Sequence, residues 1–147
     1  MNVTIHTEAA RRELLNGLIA IDEAARIALG FAVKAAERSV LGTTLYQNAS
    51  GKTRGSVKTG VEGLSGFVQS GGATAFLENG TRPHEIVARR AKALHFRING
   101  ADVFARKVNH PGTAPRPFMR VAWAVGQETA ELQAEHFVSL AIRRHFG

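Results

Sequence analysis

Two segments punctuated by proline and glycine constrain the fold of this chain more than any other feature. The first is residues 76–84, Phe-Leu-Glu-Asn-Gly-Thr-Arg-Pro-His, and the second is residues 110–120, His-Pro-Gly-Thr-Ala-Pro-Arg-Pro-Phe-Met-Arg. Three of the four prolines lie in the second segment, and each proline fixes φ and removes a backbone donor. We therefore expect two stiff, basic turns that form a rigid docking surface.

A long amphipathic helix is predicted from Thr7 to about Leu41, with Thr7 as its N-cap and Glu8 in its first turn. Apolar residues recur on one face at steps of four and three: Leu14, Leu18, Ile21, Ala25, Ala28 and Ala32. Such a helix would be roughly 50 Å long, whereas a compact domain of this size is roughly 40 Å across. The helix should therefore either break near Gly30 or pack its excess apolar surface on another subunit, and we favour the subunit.

The middle of the chain predicts a flexible, basic, glycine-rich loop over residues 42–60 and an antiparallel sheet within residues 56–108. About four to six strands are expected: one from Ser56 through Val61, its returning strand at 67–69, and three further strands at 85–89, 94–98 and 103–108. Asn79-Gly80 and Asn99-Gly100 are turn signals, and the second predicts a hairpin between its flanking strands. In strand 94–98 the apolar side chains alternate with His95 and Arg97, which should face the other side.

A final helix is predicted over residues 117–145, because Pro117 suits the first position of a helix. Its expected core face consists of Phe118, Val121, Ala122, Val125, Leu132 and Leu140, with Trp123 and Phe137 at the flank. The order of helix, strands and helix predicts a single α+β domain over residues 1–147. We find no internal repeat in the sequence.

The net charge of +7 is concentrated in the middle of the chain. Residues 42–126 hold twelve basic and four acidic side chains, whereas the two ends together are close to neutral. A localised basic region attracts nucleic acid or an acidic protein face. Solubility alone is the other explanation that the charge leaves open.

No residue pattern predicts an enzyme, a cofactor or a metal site. The chain has no cysteine, and no two of its six histidines have the spacing of a metal-ligand pair. Ser65 lacks the second glycine spacing of a nucleophile elbow. Glu78 and Glu85 each stand near an arginine and a turn, so ion pairs that brace the loop are expected there. No apolar run reaches the roughly 18 residues that a membrane span requires.

The basic side chains and turn residues are the better functional candidates, because cations on strands and turns can follow a phosphate backbone. Arg97 is one of the basic side chains that lie between the two turn segments. Phe96 and Phe104 are expected in the core, which argues against a base-stacking platform. The candidates for a protein interface or a DNA channel are Lys52, Arg54, Lys58, Glu78, Thr81, Arg82, His84, Arg89, Arg90, Lys92, Arg106, Lys107, His110, Arg116, Phe118 and Arg120.

The two turn segments, with Arg-Arg-Ala-Lys-Ala-Leu-His-Phe at 89–96 between them, resemble the tail-completion, or head–tail joining, proteins of long-tailed bacteriophages. In that family a Glu-x-Gly-Thr turn follows a strand, and a Pro-Phe segment opens the last helix. The order of helix, glycine-rich loop, sheet and helix also agrees, so the resemblance covers most of the chain. One departure is that Ala73-Thr74-Ala75-Phe76 lacks the tyrosine expected before the turn.

The resemblance implies a structural, non-enzymatic virion protein of the neck and tail, made in the host cytoplasm during assembly. It implies a homo-oligomeric ring, expected to be a hexamer, between the tail terminator or tail tube and the head connector. Non-specific contact with passing duplex DNA is also implied. A basic nucleic-acid-binding module that acts on its own is the alternative.

Overall fold

A computed structural model describes residues 8–47 and 51–147, and its longest element is the first helix, α1 (Glu8–Gly42). The helix continues through Gly30, so of the two expectations the break at that residue is wrong. Its 35 residues span about 52 Å at about 1.5 Å per residue. The N-cap predicted at Thr7 lies outside the described residues.

The remaining described elements alternate short helices with strands and end in a second long helix. They are α2 (Lys52–Gly55), β1 (Lys58–Glu62), β2 (Ser65–Gln69), α3 (Thr74–Asn79), β3 (His84–Val87), β4 (Leu94–Ile98), β5 (Ala101–Ala105), β6 (Lys107–His110) and α4 (Phe118–Phe146). This order confirms the α+β class, with a long helix at either end. The strands described here form three separate two-stranded antiparallel ribbons, β1–β2, β3–β6 and β4–β5, and not one sheet.

The structure differs from the expected elements in three places. The segment before the Asn79-Gly80 turn, which the family resemblance implied to be a strand, is helix α3, and the Leu77 N–H bonds to the Ala73 carbonyl over 2.9 Å in its first turn. The predicted strand 103–108 is two strands, β5 and β6, that separate at Arg106 and pair with different partners. Within the predicted loop 42–60 lies helix α2, and residues 48–50 lie outside the described residues.

Contacts divide the chain into two compact units, where the sequence predicted one domain. Unit 1 comprises Met1–Gly72 and Phe118–Gly147, and unit 2 comprises Ala73–Pro117. Unit 1 therefore holds both long helices and the β1–β2 ribbon. Unit 2 holds helix α3, the other two ribbons and both turn segments up to Pro117.

Small residues occupy most of the buried positions of α1, which packs against α4 in unit 1. The helices run antiparallel, because Gly17 lies against Phe146 whereas Ala36 lies against Gly126. A Cβ atom at Gly126 would stand 3.3 Å from Ala36 Cβ, so the backbones approach closely at this point. The buried positions of α1 are Gly17, Ala24, Ala28, Ala32, Val33, Ala36 and Val40.

Because small residues make this contact, several large apolar side chains predicted to face the core lie outside it. On α1, Ala28 and Ala32 are buried as part of the predicted face, but Leu14 and Leu18 are more than half exposed. On α4, Phe118 and Ala122 are buried. The predicted core positions Val121, Leu132 and Leu140 are exposed instead.

Candidate interaction site

The two turn segments that dominate the sequence pair with each other in unit 2. Thr81 and Thr113 form an antiparallel bridge in which each N–H donates to the other residue's carbonyl over 3.0 Å. Their hydroxyl oxygens are 3.1 Å apart, within hydrogen-bond distance. The Arg116 N–H also donates to the Leu77 carbonyl over 2.8 Å, which holds the second segment against α3. We call the paired residues 80–84 and 110–113 the clasp.

The clasp continues the register of the β3–β6 ribbon. His84 pairs with His110 and Val87 pairs with Lys107, and the same register leads to the pair Thr81 and Thr113. Pro83 and Pro111 are therefore opposite each other between these pairs. Since neither proline has an N–H, the ladder is interrupted there, and the threonine bridge restores it beyond the gap.

Two glycines allow the clasp to close. Gly80 ends α3 at φ 70 and ψ −176, a conformation that is essentially restricted to glycine. Gly112 has φ 86, which also favours glycine. A Cβ atom at Gly80 would meet the carbonyl oxygen of Thr113, and one at Gly112 would meet that of Thr81. The two backbones therefore touch where both residues lack a side chain.

Two histidines stack across the ladder next to the proline pair. The His84 and His110 rings lie 5.1 Å apart at 29°. His84 Nδ1 donates to the Arg82 carbonyl over 2.8 Å, whereas His110 Nδ1 accepts from the Gly112 N–H over 3.0 Å. The local hydrogen bonds thus assign different tautomers to the two rings and fix their orientations.

The structure distributes the predicted candidate residues over the two units. Lys52, Arg54, Lys58, Phe118 and Arg120 belong to unit 1, and the other eleven belong to unit 2.

Within unit 1, Phe118 is only 1% exposed and its ring packs 4.8 Å from that of Tyr46, so the structure gives it a core role and no free surface. Arg54 donates to the Thr43 carbonyl over 2.6 Å and lies over the Tyr46 ring. Lys58 begins β1 and is exposed, as are Lys52 and Arg120. The lysines and Arg120 thus remain surface cations, whereas Arg54 ties its segment to Thr43.

Unit 2 has an excess of basic over acidic side chains, and its carboxylates are buried or paired. It holds eight basic and three acidic side chains, a net charge of +5 in the span Ala73–Pro117. Lys107 Nζ pairs with Glu85 over 2.8 Å, so the expected ion pair exists at Glu85 but with a lysine. Glu78 is buried. The exposed cations that make no ion pair within the described residues are Arg82, Arg89, Arg90, Lys92, Arg106 and Arg116.

One face of the β4–β5 hairpin carries an aromatic stack beside an ionic cluster. Asn99 and Gly100 both have positive φ, which confirms the predicted tight turn and sets the register. His95 stands opposite Phe104, and their rings stack at 4.7 Å and 10°. Phe104 is 69% exposed, so its predicted core position is wrong. Phe96 is half-buried on the opposite face.

Asp102 organises the charged part of that face. Its Oδ1 accepts from Arg97 Nε over 3.0 Å and from His95 Nε2 over 2.9 Å. These two hydrogen bonds, first that from Arg97, lower the pKa of Asp102 below its ordinary value. One carboxylate therefore positions both the Arg97 guanidinium and the His95 imidazole on the hairpin face.

Lowering the pH should loosen the hairpin through Asp102. Because the pKa of Asp102 is lowered in the folded protein, its carboxylate stabilises the hairpin at pH values above its ordinary pKa of about 3.9. This stabilisation is lost as the pH falls through the lower pKa of the folded state. The protection factors of the β4 and β5 amides, which are corrected for the pH dependence of intrinsic exchange, should therefore fall below about pH 4 in the wild type. In Asp102→Asn the protection factors should be lower already at neutral pH, and their acid-dependent drop should shrink. An unchanged acid-dependent drop in that variant would contradict this assignment.

Unit 1 presents a second candidate surface, which is apolar. Leu14, Leu15, Leu18 and Ile19 are each between 49% and 57% exposed, and their four-residue spacings place them on adjoining faces of α1. We call these four residues the N-terminal patch. A separate apolar groove of about 500 Å³ lies between α1, β2 and α4, with Leu29, Phe67 and Trp123 among its walls.

Sequence reasoning missed Gly112, Thr113, His95, Asp102 and Phe104 as parts of these sites. A signal existed for both groups. Gly-Thr-x-Pro occurs at 80–83 and again at 112–115, and each copy contributes a glycine with positive φ and a bridging threonine to the clasp. A two-residue turn at Asn99-Gly100 places Phe104 opposite His95, so an outward His95 already implies an outward Phe104.

Comparison of the chain with protein-family models, with curated proteins and with solved structures finds no match. Among residues 8–47 and 51–147, no group of three or more His, Asp or Glu side chains is placed to hold a metal ion. No helix in this described part of the chain has the length and apolarity needed to cross a membrane.

Proposed function

We propose that this chain is a structural assembly protein of a phage neck, which completes the tail and joins it to the head as part of an oligomeric ring. The proposal rests on the resemblance of the two turn segments and on one observation in the structure. That observation is the uncovered apolar surface of α1, where four large side chains lie exposed while the buried positions of the helix are mostly alanine. Contiguous exposed apolar surface is typical of protein–protein contact sites.

The distribution of charge favours a second copy of this chain as the occupant of the N-terminal patch. Helix α1 carries five basic and five acidic side chains, so two copies can approach through it without net repulsion. Unit 2 carries +5, and copies that met through unit 2 would repel each other. The N-terminal patch and the apolar groove are two different surfaces of the same unit. In a head-to-tail ring, one surface of each copy meets a different surface of the next copy, so the ring requires such a pair.

The clasp supports the same role in a different way. A docking surface that meets a neighbouring ring needs fixed geometry, and the threonine bridge, the two prolines and Arg116 fix the backbone of both turn segments. The exposed cations Arg82, in the clasp, and Arg116, beside it, suit an acidic protein face or the phosphates of DNA inside a channel.

Light scattering across a range of protein and salt concentrations tests the proposal. We expect the wild-type chain to associate as its concentration rises and to remain associated in high salt, because salt screens charge contacts but strengthens apolar ones or leaves them intact. The double variant Leu14→Ser, Leu18→Ser should remain monomeric. Leu64→Ser is the matched control, since Leu64 is 57% exposed in the same unit but lies in the β1–β2 turn.

Electron microscopy of particles assembled without the protein tests the joining role directly. Filled heads separated from tails are the expected result, and normal particles would remove the proposal. A strict monomer that also fails to bind tail tubes would count equally against it. Salt-sensitive binding to nucleic acid without any self-association would favour the alternative, a nucleic-acid-binding module that acts on its own.

A further inference from the structure

We propose that the outer face of the β4–β5 hairpin is a binding site for single-stranded nucleic acid, in which an unpaired base stacks on Phe104. This site is independent of the proposed assembly role, since it uses unit 2 and not the helices of unit 1. The Phe104 ring is exposed on its strand and is not buried in a core.

The aromatic part of the site is already organised for stacking. Phe104 is 69% exposed, and His95 covers it from one side as a parallel ring at 4.7 Å. A base that stacks on the ring would extend this two-ring stack by one member. Aromatic side chains on strands are the usual stacking platform of proteins that bind single strands, because every base offers a π-face.

The cationic part of the site lies on the same face and at the open end of the same hairpin. Arg97 shares the face with Phe104 and is 71% exposed at its side chain, yet Asp102 holds its Nε over 3.0 Å. Its remaining guanidinium N–H groups are thus positioned to donate to a phosphate.

Four further cations flank the open end of the hairpin: Arg89, Arg90, Lys92 and Arg106. The Ala88 N–H donates to the Arg106 carbonyl over 2.9 Å, so Arg89 follows directly from a residue paired with Arg106. None of the four makes an ion pair within the described part of the chain, so each remains available to a phosphate. A stacked base with phosphates on either side matches this arrangement.

Single-stranded nucleic acid fits the site better than duplex. In duplex the bases are stacked on one another, so the faces that Phe104 requires are covered, and the protein would contact phosphates alone. The site provides both an exposed ring and cations, and only an unpaired strand uses both.

Fluorescence anisotropy with labelled oligothymidylate of about 10 nucleotides tests the proposal on the full chain. Phe104→Ala should weaken binding by at least about 5-fold, the lower end of the loss for one stacked base, and Phe104→Tyr should bind like the wild type. Phe76→Ala is the matched control, because Phe76 is 63% exposed in the same unit but lies on α3. It should leave the affinity unchanged.

The salt dependence tests the cationic part separately. For the double variant Arg89→Gln, Arg90→Gln, we expect the slope of log K against log salt to be shallower by about 0.7 for each lost phosphate contact. Equal affinities for Phe104→Ala and Phe76→Ala would overturn the proposal. Equal binding of a duplex of the same length would also overturn it, because contact would then rest on phosphates alone. Circular dichroism should show that each variant retains the wild-type fold, since all substituted side chains are exposed.

Discussion

Phe118→Ala is expected to destabilise unit 1 by about 3–5 kcal/mol, because it leaves a cavity in a core that has few large side chains. Phe118 is 1% exposed, and its ring packs on that of Tyr46 at a centroid distance of 4.8 Å. The other buried apolar side chains of unit 1 are mainly alanine and valine, which cannot expand into the space. Urea unfolding followed by circular dichroism at 222 nm would measure the loss, since α1 and α4 dominate that signal.

Leu132→Ala is the matched control for this change. It removes a large apolar side chain from the same helix, but Leu132 is 60% exposed, and we expect a change within about 0.5 kcal/mol. Phe118 was a predicted interface candidate. If Phe118→Ala abolished self-association while the unfolding curve stayed unchanged, Phe118 would act at an interface and the core role would be wrong.

Gly80→Ala and Gly112→Ala should each open the clasp, at a cost of at least about 1–3 kcal/mol from the backbone conformation alone. Gly80 has φ 70 and Gly112 has φ 86. In addition, each new Cβ would meet a backbone carbonyl of the opposite segment, which cannot rotate away as a side chain can. Hydrogen exchange of the Thr81 and Thr113 amides should accelerate in both variants, and the thermal midpoint of unit 2 should fall.

Gly100→Ala separates the two causes. Gly100 has φ 84, but a Cβ there would have no neighbour within 4 Å, so this variant carries only the conformational cost. That cost is about 1–2 kcal/mol. Exchange at Thr81 should therefore remain close to wild type in Gly100→Ala. If Gly80→Ala had no larger effect than Gly100→Ala, the close approach of the two segments would not exist in solution.

Local sequence signals predicted the elements whose structure depends on near neighbours. The continuous periodicity after Thr7 predicted α1 to within one residue of its end, and Asn99-Gly100 predicted the β4–β5 hairpin. Both depend on residues a few positions apart, where propensity and turn geometry decide the outcome. Pro117 likewise marked the start of α4, which begins one residue later at Phe118.

The partners of each element could not be predicted, because they depend on contacts far apart in the sequence. An apolar stripe on α1 does not show whether Leu14 or Gly17 faces α4, and Gly17 does so because it leaves room for the Phe146 ring. The candidate site shows the same limit. Both turn segments were recognised as rigid, but their pairing across 32 residues, through Thr81 and Thr113, follows only from the fold.

The opposed prolines of the clasp affect what can pair with the β3–β6 ribbon. Each described ribbon has only two strands, so its outer edges retain backbone groups that an unfolded or partly folded chain could bind. Proline and charged side chains are the residues that natural edge strands use against such pairing, and Pro83, Pro111 and the exposed Arg82 place both kinds beside the β3–β6 ribbon. An incoming strand would find this stretch a poor template, so the clasp should also limit aggregation of the chain at high concentration.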